Sequence, residues 1–403
     1  MRCYVFLSEI VGSGGVQCYV AAKTAALERT GWSVFVFGDH FVSDTTTIHI
    51  LSLQKYLPQG IPLLSMHPCA IPKFLVKVVL NKIVKKIYKE GDYEEIIIES
   101  WNSQTAQWGE LLAEKTKGKH FFWTANESYR GADKMYESKI DFYRFKLDRR
   151  EIFSSPAVLE RLFAGCREVN TENFVSVKIS EDPIQDVVYP KVEALRRADW
   201  NICYIGRTNK PYVPNVVKGV IEFACSQLDK KIQFIIVGES SPIKPMLDSI
   251  SQENLLIAEM GDLYPLPQNL YEKIDVVIAG AGSARHSVDA GALVISTDSE
   301  LCCSHGILGY DTNYHTYVTD KKDDSVIQMS FFEALNRALI TKEWMNSPFK
   351  WKRTPNAEEC LKNQFEIISM SSIEKKYYDE RELLKGRKDY LRVLRVLCRM
   401  LIN

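Results

Sequence analysis

Residues 3–37 read CYVFLSEIVGSGGVQCYVAAKTAALERTGWSVFVF. The apolar run 3–7 predicts a strand, Gly12-Ser13-Gly14-Gly15 a tight turn, the Ala-rich stretch 16–30 up to Gly31 a helix, and 33–37 a second strand. Two strands joined by a helical crossover favour a parallel pair with the helix on one sheet face. The alternation continues through strand 94–99, helix 103–116, strands 119–124 and 150–154, and helix 156–164.

A polar stretch, 176–199, then precedes a fresh start: strand 201–206, helix 214–227, strands 232–237, 254–258 and 274–279, a Gly-rich turn 280–283, a short helix and strand 292–297. Helices 330–341, 355–368, 372–384 and 387–402 close the chain. The expected fold class is therefore α/β, with two Rossmann-like domains, 1–180 and 200–370, facing across a cleft. C-terminal helices over 371–403 are expected to return onto the first domain or lie on a membrane surface. In open α/β sheets ligands sit outside the carboxyl ends of the strands, so the turns after 3–7 and 274–279 are the places to search.

Charge and composition narrow the function classes. Lys plus Arg and Asp plus Glu tie at 51 each, so net charge gives no support to polyanion binding and nucleic acid is not an expected partner. With 46 % apolar and 25 % charged residues, 21 Gly and 15 Pro, the chain falls outside the disordered and low-complexity classes. Ten cysteines are scattered without C-x-x-C or a His at metal-ligand spacing, which reads as reduced, buried thiols of a cytoplasmic protein. The run 3–7 falls short of the roughly 7–15 apolar residues of a signal-peptide core. The longest interior stretch without formal charge, 56–72, holds Pro58, Gly60, Pro62, Pro68 and Pro72, so no membrane-spanning helix is expected.

Two segments carry candidate chemistry. Gly14 and Gly15 let backbone N–H groups converge at a helix N-terminus, which suits a phosphate or a substrate oxygen; they equally serve a merely tight β–α turn. With Gln17 in place of the third glycine of G-x-G-x-x-G, and only Asp39 to imitate the acidic ribose ligand, dinucleotide binding is not favoured. In Tyr204-Ile205-Gly206-Arg207-Thr208-Asn209-Lys210 a strand ends and cations follow. Arg207 could grip a diphosphate through two parallel hydrogen bonds while Lys210 adds a point charge. Fixed cations of this kind neutralise the charge that develops on a leaving diphosphate without a metal. The alternative is a solvated pair at a domain edge. Asp-x-Asp, the Walker loop, G-x-S-x-G and H-E-x-x-H are all absent, so no metal is expected and P-loop, serine-hydrolase and zincin readings lack their starting residues.

In order and spacing these motifs resemble a GT-B fold glycosyltransferase, nearest to glycosyltransferase family 4. The start resembles that family's Gly-Gly turn and "G-H-x-V-x-V" second strand, with Trp32 in place of His. Tyr204 to Lys210 resembles "V-G-R-x-x-x-K-G", Phe234 to Glu239 resembles "L-x-I-V-G-x-G", and strand 274–279 with Asp289 to Asp298 resembles "A-D-V-x-V…E-A-x-A-x-G-x-P-V-I-A-T-D". The likeness covers residues 1–375. The family's paired glutamates are missing, Ile278 and His286 standing at the matching positions.

The resemblance implies a metal-independent, hexosyltransferase-type enzyme that needs no cofactor. It would move a sugar from a nucleoside-diphosphate sugar, UDP- or GDP-linked, to a glycan or lipid-linked acceptor in surface polysaccharide biosynthesis. Gly14, Gly15, Arg207, Lys210, Gly238 and Glu239 would bind the donor, helped by Ser283, Arg285, His286 and Ser287, which would rebuild the site where the glutamates are lost. Arg207, Lys210 and Glu127, the last facing the acceptor, would be catalytic. The missing acids leave open a catalytically inactive glycosyltransferase-like binding or scaffold subunit.

Residues 73–89 hold six lysines and no acid, with Val76, Leu80, Ile83 and Ile87 marking an apolar face. In 387–402, Tyr390, Leu394, Leu397 and Leu401 recur at helical spacing, with Lys388, Arg392, Arg395 and Arg399 on another face. Basic amphipathic helices adhere to anionic membrane surfaces. The expectation is a cytoplasmic protein, peripheral on the inner face of the cytoplasmic membrane; a domain helix with a solvated lysine face is the plainer reading of 73–89.

Overall fold

The structure is a computed structural model that describes residues 1–11, 15–41, 61–101, 103–124, 140–154, 163, 175–176, 187–263, 266–316, 326–353, 357–371 and 374–402. The chain divides into two compact units, Met1–Ser180 with Pro355–Asn403, and Glu181–Thr354. The strands are β1 (Arg2–Val11), β2 (Trp32–Phe41), β3 (Glu95–Trp101), β4 (Lys119–Thr124), β5 (Ile152–Ser154), β6 (Val175–Ser176), β7 (Trp200–Ile205), β8 (Ile232–Val237), β9 (Leu255–Gly261), β10 (Val276–Ala279) and β11 (Val294–Ile295). The principal helices are α1 (Gly15–Arg29), α2 (Lys73–Glu90), α3 (Ser103–Thr116), α4 (Ile140–Asp148), α5 (Val213–Ser226), α6 (Ala281–Asp289), α7 (Ala357–Met370) and α8 (Tyr390–Ile402).

The first unit holds a sheet of order β2-β1-β3-β4-β5-β6 and the second one of order β11-β10-β7-β8-β9. All their strand pairs are parallel. The alternating strand-helix pattern of the sequence dictates this, because each helical crossover returns the chain to the end of the sheet where the previous strand began. β1 is longer than the apolar run 3–7: its pairing with β2 continues to Val11 opposite Phe41, so the turn begins only after the polar residues Ser8 and Glu9 have joined the ladder.

A parallel sheet must be covered on both faces, and side-chain alternation decides what each face receives. In the first unit Cys3, Val5 and Leu7 pack with residues of α2, α3 and α4, whereas Tyr4 and Phe6 pack with α1 and α7. In the second, Ile202 and Tyr204 join α5 while Cys203 and Ile205 join α6.

Helix α7 corrects the expected boundary at residue 370. The expected second domain, 200–370, includes it, yet Leu361 and Ile368 sit in the core of the first. Trp32 stacks on Phe365 at a ring separation of 5.2 Å. An amphipathic helix signals that one face must be buried, not which sheet buries it. The tail after it also packs on the first unit, through Leu383, Leu384 and Val393. Cysteines are less uniformly hidden than expected: Cys3, Cys69, Cys203 and Cys360 are buried, but Cys225 and Cys398 are exposed.

Two buried polar networks flank β3. On one face Lys23 of α1 pairs with Glu99 at 2.5 Å, the Tyr4 and Tyr19 hydroxyls donate to the same carboxylate, and Lys23 also donates to Gln364 of α7. Burial holds the Lys23 pKa down despite Glu99. On the other face Glu110 accepts from His120 Nδ1 at 2.9 Å and from Lys146 at 2.9 Å. His120 Nε2 lies 2.7 Å from the Ser100 hydroxyl, and Lys146 also reaches Glu151. Because a carboxylate only accepts, His120 donates from Nδ1 and accepts a hydrogen bond from the Ser100 hydroxyl at Nε2. This is the geometry of a nucleophile relay, but Ser100 and His120 are wholly inside the core, so its role is to satisfy buried polar groups.

Breaking the first network strands a charge: Lys23→Met should lower unfolding free energy by about 3–5 kcal/mol, read by urea denaturation. Loss of less than about 1 kcal/mol would show that Glu99 finds another partner. The second network sets an acid limit. Burial opposes the Glu110 charge, but Lys146, His120 and the Tyr378 N–H hold its pKa at about 2. Burial and Lys146 press His120 to about 4. Both values lie below the ordinary 4.5 and 6.5, so unfolding takes up protons and the stabilisation is complete above pH 6.5. Hydrogen exchange of the α3 amides should therefore accelerate as pH, corrected for intrinsic rates, falls from 6.5 to 4, and His120→Gln should flatten that interval.

Candidate active site

Where strand order reverses, two neighbouring loops part and leave a crevice at the carboxyl ends. The first sheet reverses at β1/β3 and the second at β7/β10. In the first unit, Gly15 opens α1, the helix that follows β1. Gly14 and Glu127 lie outside the described residues.

The second unit is described around its reversal point. β7 ends at Ile205, Gly206 follows, and Arg207 is exposed immediately beyond. The turn carrying it is pinned from three sides. The Tyr204 hydroxyl donates to the Arg207 carbonyl at 2.9 Å, Thr208 donates to the Glu239 carbonyl, and the Lys210 N–H reaches the Arg207 carbonyl at 3.4 Å. Gly206 in turn donates to the Val237 carbonyl at 3.0 Å. Gly238 (φ +139°) comes so close that a Cβ on it would strike the Gly206 carbonyl oxygen, which is the structural demand for glycine there. Glu239 is exposed and accepts from the Ser241 hydroxyl at 2.5 Å.

The β10 loop meets the same region. Gly280 caps α6, and a Cβ there would run into the Thr297 hydroxyl and would approach the Tyr212 hydroxyl within 3.2 Å. Tyr212 thus joins the Arg207–Lys210 turn to the Gly280 turn. Among the described residues the Thr297 hydroxyl is buried without a hydrogen-bond partner. Ala281 adopts a left-handed φ of +51° and donates to the His315 carbonyl at 2.6 Å. Burial and the charge of Arg285 press the His315 pKa to about 4, keeping that ring neutral beside α6.

The structure brings Arg207, Lys210, Gly238, Glu239 and the start of α6 to one end of one sheet. Ser283, Arg285 and His286 lie half-buried on α6. Ser287 departs from its expected role: it is fully buried, its hydroxyl 2.8 Å from the Ser283 carbonyl and 3.2 Å from Tyr271. The i, i+4 carbonyl claims it because position 287 falls on the sheet-facing side of α6. Ile278 lies inside β10 and is fully buried. Among the described residues no group of three His, Cys, Asp or Glu is placed to hold a metal ion.

Sequence reasoning missed Asp298 and His305, beyond the end of β11. Asp298 accepts from the Glu300 and Leu301 N–H groups at 2.7 and 2.8 Å and lies 2.9 Å from His305 Nε2, while His305 Nδ1 lies 2.7 Å from the Ile327 carbonyl. Both ring nitrogens face acceptors, an arrangement that favours the doubly protonated imidazole. Asp298 closes the motif matched by Thr297-Asp298, which was the available signal; its histidine partner had none.

No protein-family model and no curated protein matches this chain. Solved structures do. S. aureus MnaA with UDP is similar at a TM-score of 0.53 and 12 % identity, over 94 % of this chain and 100 % of the other. The lipopolysaccharide outer core galactosyltransferase WaaB gives 0.51 and 15 %, over 92 % and 99 %. Sucrose-phosphate synthase from Thermosynechococcus elongatus gives 0.50 and 13 %, over 99 % and 100 %. The fold is GT-B. At these identities the likeness speaks for architecture alone.

For His305 burial opposes the charge, but the bonds to Asp298 and Ile327 outweigh it and raise the pKa above 6.5. The sign is opposite to that of His120: this stabilisation is complete below pH 6.5 and is lost as pH rises through the raised value. An NMR titration should place the His305 ring above 6.5, and Asp298→Asn should bring it down; a midpoint below 6.5 in the parent chain would contradict the doubly donating ring.

Proposed function

We propose that this chain is a glycosyltransferase, related to family 4, that moves a sugar from a UDP- or GDP-linked donor to a glycan or lipid-linked acceptor in surface polysaccharide biosynthesis. The observation that carries the reading is the pinned Arg207–Lys210 turn at the strand-order reversal of the second unit, beside the Gly280 turn. An exposed guanidinium on a backbone fixed at both ends is a preorganised diphosphate clamp. The N-terminus of α6, at the neighbouring strand end, adds a positive dipole end for the same anion. The fold shared with a galactosyltransferase and with a UDP-bound protein supports a nucleotide-sugar ligand.

In this reading Arg207 and Lys210 hold the diphosphate and take up the charge released as the sugar–oxygen bond breaks, so the transferase needs neither a metal nor a cofactor. Gly238 keeps the loop after β8 close to that turn, and Glu239, Ser283, Arg285 and His286 line the donor site. The family resemblance assigns Gly14 and Gly15 to donor binding and Glu127 to acid or base catalysis toward the acceptor. Ser287 is left out, its hydroxyl being used inside α6. The cellular site is cytoplasmic, at the inner face of the membrane.

A non-catalytic binding subunit is the second reading, favoured by one observation: Ile278 and His286 leave no carboxylate at the positions where the resembled family holds ribose hydroxyls. Calorimetry with UDP and GDP, followed by mass analysis of products from sugar nucleotides and membrane extract, separates the two. Arg207→Ala should weaken nucleotide binding about 10- to 150-fold, the equivalent of the 1.5–3 kcal/mol of a charged hydrogen bond, and abolish transfer with an unchanged melting point. Nucleotide binding without a product supports the subunit, an altered sugar formed without acceptor indicates epimerisation, and normal transfer by the variant removes Arg207 from the site.

A further inference from the structure

We infer that the corner of the first unit where α2 and α8 begin is a docking face for an anionic lipid surface. The packing revises which residues could serve. Val76, Leu80, Ile83 and Ile87, the apolar stripe of α2, are spent on the core. On α8, Val393 is buried and Val396 and Leu397 pack against the same core. What remains outside is a different set. Phe74 and Val78 of α2 are 66 % and 58 % exposed, and Tyr390, Leu391 and Leu394 of α8 are 61 %, 71 % and 56 % exposed.

These residues belong to one place because the two helix starts are tied together. The Asp389 N–H donates to the Ala70 carbonyl at 2.9 Å and the Lys388 ammonium to the Cys69 carbonyl at 2.9 Å. Arg392 reaches the Ser65 carbonyl at 3.4 Å, and a Cβ on Gly386 would touch Cys69. Single exposed apolar side chains are ordinary, but five large ones within the first turns of two joined helices are not.

Charge selects the occupant. Residues 61–89 carry six lysines and no acid, and 384–403 carry six basic residues against Asp389 alone, in a chain whose total is balanced. Among them Lys73, Lys77, Arg387, Arg392 and Arg395 are exposed around the apolar residues. The Asp389 carboxylate is directed to the Arg392 N–H at 3.0 Å, where it caps α8. Apolar side chains ringed by cations match a headgroup layer with acyl chains beneath it better than they match a protein partner, which would need its own acids and a fitted apolar surface. No described helix is long and apolar enough to cross a membrane, so attachment would be at the surface.

The inference stands on the first unit and does not use the transferase reading, so either can fail alone. Its test is co-sedimentation of the full chain, without nucleotide, with vesicles of phosphatidylcholine and with vesicles containing phosphatidylglycerol. Binding is expected only to the anionic vesicles, weakening in high salt. Phe74→Ser with Leu391→Ser should reduce it at least tenfold, and Lys77→Gln with Arg395→Gln roughly 25-fold, since each cation near such a surface is worth about fivefold. These side chains are exposed, so melting points should stay unchanged. Leu228→Ser, at an equally exposed leucine in the second unit, should bind as the parent does. Absence of binding to anionic vesicles, equal binding to neutral ones, or full binding by either double variant would overturn it.

Discussion

Parallel strands with both faces covered leave their backbone accessible only at the strand ends and along the edge strands, and both units obey that constraint. It forces the apolar residues of every strand into helix contacts and leaves chemistry to the loops at the carboxyl ends. In the second unit those loops approach closely where glycine leaves room: Gly238 against the Gly206 backbone, and Gly280 against the Thr297 hydroxyl. The exposed Arg207 therefore stands on a turn held by the Tyr204 and Thr208 hydroxyls, which is how a flexible cationic side chain acquires a defined position.

Buried ionisable groups divide the molecule into parts with opposite acid responses. In the first unit His120 has one acceptor and one hydroxyl neighbour, and its pKa is pressed down; in the second His305 has two acceptors, and its pKa is raised. The difference follows from partner chemistry, not from depth, because both rings are hidden. The Lys23–Glu99 network adds a topological function by fastening α7, a helix from the far end of the chain, onto the first sheet through Gln364.

Much of the architecture was legible in the residues. Val5 and Phe35, Ile202 and Phe234 sit in runs whose length and β-branched or aromatic content suffice for strands, and the Gly turns at 206 and 280 mark the site's edges. Periodicity gave the helices but not their neighbours. It showed that α2 and α8 are amphipathic without showing that Val76 faces a sheet while Phe74 faces water. Ser287 looked like a ligand because hydroxyls bind phosphates; only the position of Tyr271 and the Ser283 carbonyl shows it occupied.

The sequence by itself determined the class of fold and the location of the cationic turn, since strand, helix and glycine signals are local and depend on residues a few positions apart. Tertiary structure alone decided the allegiance of α7, the pairing of Asp298 with His305, and which apolar residues of α2 and α8 stay outside. Each of these joins groups that are distant in sequence or turns one face of an element toward a neighbour. Such choices are settled by which buried charge finds a partner and which surface is already covered, and neither is written in any single segment.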